Sequence, residues 1–101
     1  MSVKKQYLKT KQICKVTFSI PKEIANSAGT VHLVGDFNDW SPVETAMKRR
    51  KDGSITATLD LKPDREYAFR YLLDGTTWEN DPQADKYVRN EYGSENSVIV
   101  V

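Results

Sequence analysis

Residues 47–61 read Met47-Lys48-Arg49-Arg50-Lys51-Asp52-Gly53-Ser54-Ile55-Thr56-Ala57-Thr58-Leu59-Asp60-Leu61. From Ile55 to Leu61 every second residue is apolar, the period at which the side chains of an extended strand share one face. Ahead of it a short basic strand around Met47–Lys51 meets Asp52-Gly53, the dipeptide signal of a two-residue hairpin. The stretch therefore reads as an antiparallel pair with one face buried. The same period recurs on both sides of it. Cys14, Val16, Phe18 and Ile20 share a face while Lys15, Thr17 and Ser19 point the other way, with Pro21 as the stop. Tyr67, Phe69, Tyr71 and Leu73 oppose Ala68, Arg70 and Leu72, and Asp74-Gly75 forms the exit turn. Val31, Leu33 and Phe37 mark a further strand that ends in the polar turn Asn38-Asp39-Trp40-Ser41-Pro42, and Val98–Val101 a last one. Lys22–Gly29 carries only loop or single-turn signals. No segment sustains a 3.6-residue apolar period, and turn signals recur about every ten residues, so the expected fold is all-β: an antiparallel sandwich of about seven strands.

The chain has 101 residues, the size of one domain with one core and far below the roughly 250 residues of a catalytic barrel. Residues 1–10 read as a mobile, weakly basic N-terminal arm and 11–101 as a single domain. Fifteen Lys and Arg face fourteen Asp and Glu, a net charge of +1. Acids are interspersed nearly everywhere, which removes the clustered cations that phosphate binding requires, so no nucleic-acid partner is expected. Cys14 is the one cysteine and His32 the one histidine. An internal disulfide is thereby excluded, no zinc or other cofactor is expected, and a reducing cytoplasm is the simplest location. No apolar run follows the basic start, and none reaches spanning length, so neither export nor a membrane partner is expected.

Both tryptophans lie outside the alternating runs, Trp40 among Asn38, Asp39, Ser41 and Pro42, Trp78 just before Asn80-Asp81-Pro82. A large apolar side chain in a polar turn needs a cover, which is its own domain, another protein or a ligand. Two such residues, each following a strand, point to a platform. The ligand class that suits two indoles without a strong charge field is carbohydrate: a pyranose presents C–H groups to the π face and hydroxyls to polar neighbours. Arg70, on the strand face opposite Tyr67, Phe69 and Tyr71, supplies donors in a rigid fork, and Ser94 and Asn96 both donate and accept.

Three blocks carry a resemblance over about Val16–Val101: Val31-His32-Leu33-Val34-Gly35-Asp36-Phe37-Asn38-Asp39-Trp40-Ser41-Pro42, Tyr67–Gly75 with Trp78 and Asp81-Pro82, and Tyr92-Gly93-Ser94-Glu95-Asn96-Ser97. In this order they resemble the family 48 carbohydrate-binding module. That isoamylase N-terminal type is found in α-glucan branching and debranching enzymes and in the β subunit of AMP-activated protein kinase. The resemblance implies an immunoglobulin-like (early-set) sandwich that binds α-1,4-linked glucan, whether glycogen, a starch-like chain or a maltooligosaccharide, without catalysis. It implies that Trp40 and Trp78 are the stacking tryptophans and that Arg70 stands where the kinase subunit has a sugar-contacting lysine. Tyr92 falls on a leucine that projects into the sugar ring, and Ser94 and Asn96 match a threonine and an asparagine that bond glucose hydroxyls. Two departures bear on the shape of such a site. Thr76 and Thr77 make the turn before Trp78 one residue longer, and Tyr92 is bulkier than leucine.

Other features have plainer readings. Lys48–Lys51 reads as the solvated part of a hairpin, His32 as structural within its strand, and Cys14 as a buried, inert thiol. Asp36, Asp39, Asp74, Glu79, Asp81 and Asp85 are of the type that glycosidase chemistry needs. Several stand beside Gly, Pro or Asn, where carboxylates accept turn N–H groups, and no catalytic residue is assigned. A second reading remains: the same sandwich as a protein-interaction module, docking a glucan-metabolising enzyme or another partner through the aromatic surface or the Lys48–Lys51 strand.

Overall fold

The computed structural model describes residues 3–20, 22–25 and 28–101. Pro21, read above as a strand stop, and the first two residues of the expected arm lie outside the described residues. Nine strands are present among those described: β1 (Val3–Leu8), β2 (Ile13–Ile20), β3 (Val31–Gly35), β4 (Lys48–Arg49), β5 (Ile55–Leu61), β6 (Glu66–Leu73), β7 (Thr77–Glu79), β8 (Lys86–Arg89) and β9 (Glu95–Val100). One helical turn, Lys22–Ala25, and a 3-10 turn, Asp36–Asn38, complete the elements. The strands form two antiparallel sheets, ordered β1-β2-β5-β4 and β3-β6-β9-β8, with β7 also paired to β6. The all-β antiparallel sandwich expected from the sequence is the fold observed.

The alternating residues pack as their period requires. Cys14, Val16, Phe18 and Ile20 of the first sheet are buried, as are Leu33, Phe69, Tyr71 and Ile99 of the second. Phe18 meets Phe69 edge-on at 5.1 Å and Phe37 at 5.6 Å between ring centroids, so one aromatic cluster joins the two layers. Cys14 is fully buried, in keeping with its phase. Phe37 leaves the strand: β3 stops at Gly35, and Phe37 reaches the core from the 3-10 turn.

Three details go beyond the sequence reading. Within the segment read as an arm, Val3–Leu8 is an edge strand in register with β2 from Val3↔Phe18 to Leu8↔Ile13. It is also pinned to the opposite sheet, because Lys5 Nζ reaches Asp85 Oδ2 at 2.6 Å and the Val100 carbonyl at 2.7 Å. Desolvation raises the Asp85 pKa, but the Lys5 ammonium and the Val100 N–H outweigh it and hold the carboxyl below its ordinary value. Secondly, the strands exceed the expected seven because β1, β7 and β8 carry little apolar alternation. Thirdly, Asp52-Gly53 is not a two-residue turn. Arg50 N–H donates to Ser54 O (2.7 Å), Gly53 N–H donates to Arg50 O (3.0 Å), and Gly53 has φ 89°. That is the three-residue loop closed by a glycine in the left-handed region.

The connection after β3 changes layers. Leu33 N–H donates to Thr45 O and Met47 N–H to Val31 O, so this stretch first runs beside β3. It then pairs with β5 as β4. The stretch thereby covers the β3 edge of one sheet and then the β5 edge of the other, while β1 and β8 remain edge strands.

Candidate functional site

Arg70 on β6 pairs with Val34, and Trp78 on β7 pairs with Leu72. Alternation puts Arg70, Leu72 and Trp78 on the outer face, away from buried Phe69 and Tyr71. Ala68 pairs with Val98 on that same face, which brings Asn96, two residues earlier on β9, alongside. The hairpin turn before Trp78 uses Asp74 (φ 52°) and Gly75 (φ 70°), the paired positive φ that suits a tight antiparallel turn. Asp74 Oδ1 also accepts the N–H groups of Gly29 (2.7 Å) and Thr30 (3.0 Å), fixing that turn to the start of β3.

Trp40 arrives from the other end of β6. Gly35 must be glycine here for lack of space: a Cβ would lie 2.5 Å from the Ala68 carbonyl oxygen and 2.8 Å from Phe69 Cβ. Beyond it, buried Asn38 accepts the Gly35 N–H at 3.1 Å and donates to Leu33 O at 2.8 Å and Thr45 Oγ1 at 3.0 Å. Asp39 and Trp40 then take φ 54° and 58°, a conformation that costs non-glycine residues of order 1 kcal/mol or more each. Trp40 N–H donates to Gly35 O at 2.9 Å. The indole Nε1–H donates to Asp36 Oδ1 at 2.8 Å, and Asp36 Oδ2 accepts the Ala68 N–H at 2.8 Å. The strained turn thus throws the indole sideways over the β6 outer face and Asp36 fixes its rotation.

The third side of the site is the β8–β9 loop, 90–94. Asn90 N–H donates to Ser94 O (2.8 Å), Gly93 N–H to Asn90 O (3.3 Å), and Gly93 has φ 82°. It is the same loop as Arg50–Ser54, ending in the same Gly-Ser. Tyr92 stands at its tip, 85% exposed. Ser94 Oγ is engaged by Asn90, 3.1 Å from Nδ2 and 3.3 Å from Oδ1.

Trp40, Arg70, Trp78, Tyr92, Ser94 and Asn96, the residues expected to form a site, all line one open cavity of about 720 Å³; Asp36, Ala68, Asn90 and Glu91 complete its wall. Trp78 is 42% exposed and Trp40 half-buried. The Arg70 guanidinium carbon lies 5.7 Å from the Trp78 ring centroid, close enough for a cation–π contact. Its Nε is buried and has no hydrogen-bond partner among the described residues. Asp36 and Asn90 are the wall residues whose part the sequence did not reveal. Both are small polar turn residues: Asp36 acts through a contact to Ala68, 32 residues away, whereas Asn90 bonds within its own loop, to Tyr92, Ser94 and Asn96.

Three of the other candidate carboxylates serve turns and strands. Asp74, Asp81 and Asp85 each accept backbone N–H groups, and Asp81 is fully buried. His32 is half-buried on β3 between Leu72 and Ala46, its Nδ1 unpartnered among the described residues. Lys48–Lys51 is exposed, although Arg49 donates to Ala28 O and Arg50 to Thr56 Oγ1. Among the described residues no cluster of His, Cys, Asp and Glu has the geometry to hold a metal, and no helix is long and apolar enough to cross a membrane.

Aromatic faces and hydrogen-bonding edges on the outside of one sheet define a β-sandwich binding module. Residues 21–101 match the family model described as the glycogen recognition site of AMP-activated protein kinase, and the chain belongs to that family of carbohydrate-binding modules. No curated protein matches the chain significantly.

Proposed function

We propose that the outer-face cavity binds an α-1,4-linked glucan without cleaving it. Trp40 and Trp78 stack on glucose units, Arg70 and Asn96 donate to hydroxyls, Ser94 holds the loop edge, and Tyr92 closes over the sugar from its tip. One observation carries this reading: two indoles from different turns line the same open cavity on either side of Arg70. The site sets no strong field, which suits an uncharged polyol, and membership of a glycogen-recognition family supports the same ligand class. Stacking and a few solvent-exposed hydrogen bonds give weak binding to short oligosaccharides, on the order of micromolar to millimolar, since association entropy offsets much of the contact energy. Branched glycogen raises this through multivalency.

The test is retention on glycogen beads and tryptophan fluorescence titrated with maltoheptaose, with a cellooligosaccharide as control. Trp78→Ala is expected to abolish retention with an unchanged melting temperature. Tyr7→Ala, which removes an exposed aromatic on β1 in the other sheet, should be retained as wild type. A folded wild type that ignores both glycogen and maltoheptaose overturns the reading. The docking alternative draws on the exposed Lys48–Lys51 hairpin, which lies in the β1-β2-β5-β4 sheet rather than beside the indoles. An enzyme partner held there would be captured equally by Trp78→Ala.

A further inference from the structure

We propose that Asn90 is the positioning residue that makes Asn96 a hydrogen-bond donor toward the cavity, an inference that rests on the glucan reading of that cavity. Asn90 Oδ1 accepts the backbone N–H of Tyr92 at 2.9 Å and of Ser94 at 3.2 Å. Backbone nitrogens only donate, so this end of the Asn90 amide has to be the oxygen. Its Nδ2 consequently faces Ser94 Oγ at 3.1 Å and Asn96 at 3.2 Å. Two amide nitrogens cannot bond each other, so Asn96 must turn its own oxygen to Asn90, as observed. The Asn96 amide nitrogen, with no partner among the described residues, is then the group left for a ligand.

Two fixed N–H donors in the loop therefore determine, through one amide, which atom another amide offers to the cavity. The Arg70 guanidinium lines the same cavity and adds further donors. This part of the wall donates and does not accept, so a hydroxyl seated against it is held through its oxygen. A wall of that polarity selects ligands by where their acceptor oxygens fall.

Asn90→Asp separates this role from loop folding. The carboxylate still accepts the Tyr92 and Ser94 N–H groups, but it offers Asn96 an acceptor. The Asn96 amide rotates, donating to residue 90 and showing its oxygen to the cavity. Without sugar, the side-chain ¹⁵N–¹H signals of Asn96 should shift while the melting temperature holds. Maltoheptaose affinity should fall about three- to tenfold, the size of one net hydrogen bond. In an Asn96→Ala background Asn90→Asp should add nothing. Asn96→Asp, which keeps the oxygen toward Asn90 and removes the cavity donor, should show the same loss and covers the case in which the Asn90 variant folds poorly. Wild-type affinity in Asn90→Asp or Asn96→Asp, or a loss that persists without Asn96, overturns the inference alone. A wild type that does not bind maltoheptaose overturns the glucan reading instead, and the sugar-free spectrum still reports whether Asn90 turns Asn96.

Discussion

Asp36 and Trp40 are joined side chain to side chain: one carboxylate oxygen accepts the indole N–H at 2.8 Å, while the other accepts the Ala68 N–H at 2.8 Å. The indole is thereby tied to the central strand of its sheet, and its only donor is occupied, so a ligand meets the ring face. Asp36→Asn retains one acceptor and sets an NH₂ group against the second N–H. Losing one charge-assisted hydrogen bond is expected to cost about 1.5–3 kcal/mol of stability. Freed rotation of the indole should also weaken maltoheptaose binding. Urea unfolding and fluorescence titration of the same variant read the two effects. Wild-type affinity in Asp36→Asn would show that the ring is held by its backbone alone.

The fold was legible where alternation is long enough to name a face. Cys14–Ile20, Ile55–Leu61 and Tyr67–Leu73 each carry several in-phase apolar residues, and each is a strand with that face buried. Val3–Leu8 and Lys86–Arg89 are edge strands whose place comes from backbone register and, for β1, from the Lys5 contact to Asp85. Neither demand leaves an apolar period in the sequence. Trp40, Arg70, Trp78 and Asn96 were legible by residue type and by the resemblance. Asp36 was not, because the N–H it accepts lies on Ala68, 32 residues away.

The two glycine loops give a paired experiment. Gly53 (φ 89°) and Gly93 (φ 82°) close the same three-residue turn with the same two backbone hydrogen bonds. An added Cβ at Gly93 meets nothing within 4 Å, so alanine there is penalised by conformation alone. Gly53→Ala and Gly93→Ala should each lose about 1–2 kcal/mol, the cost of a side chain in the left-handed region. Only Gly93→Ala should also weaken glucan binding, since its loop carries Tyr92 and Ser94. Equal affinity in both variants would remove the β8–β9 loop from the binding surface.

Tyr71 is expected to make the stability of the domain fall at alkaline pH. Its hydroxyl donates to Asp81 Oδ2 at 2.7 Å in the core, and burial, with the Asp81 charge and hydrogen bond adding to it, holds its pKa far above the ordinary phenol value. An unfolded tyrosine ionises near pH 10. Below that pH both states hold the proton and the full stabilisation is present. Above it the unfolded chain releases a proton that the folded chain keeps, so stability falls by up to about 1.4 kcal/mol per pH unit from this group. Tyr71→Phe strips Asp81 of its hydroxyl donor and is expected to cost about 1–3 kcal/mol at neutral pH. It also removes the alkaline dependence due to residue 71. Urea unfolding from pH 8 to 11 should therefore show the stability gap between wild type and Tyr71→Phe narrowing above about pH 10. A gap constant across that range would mean that Tyr71 ionises alike in both states.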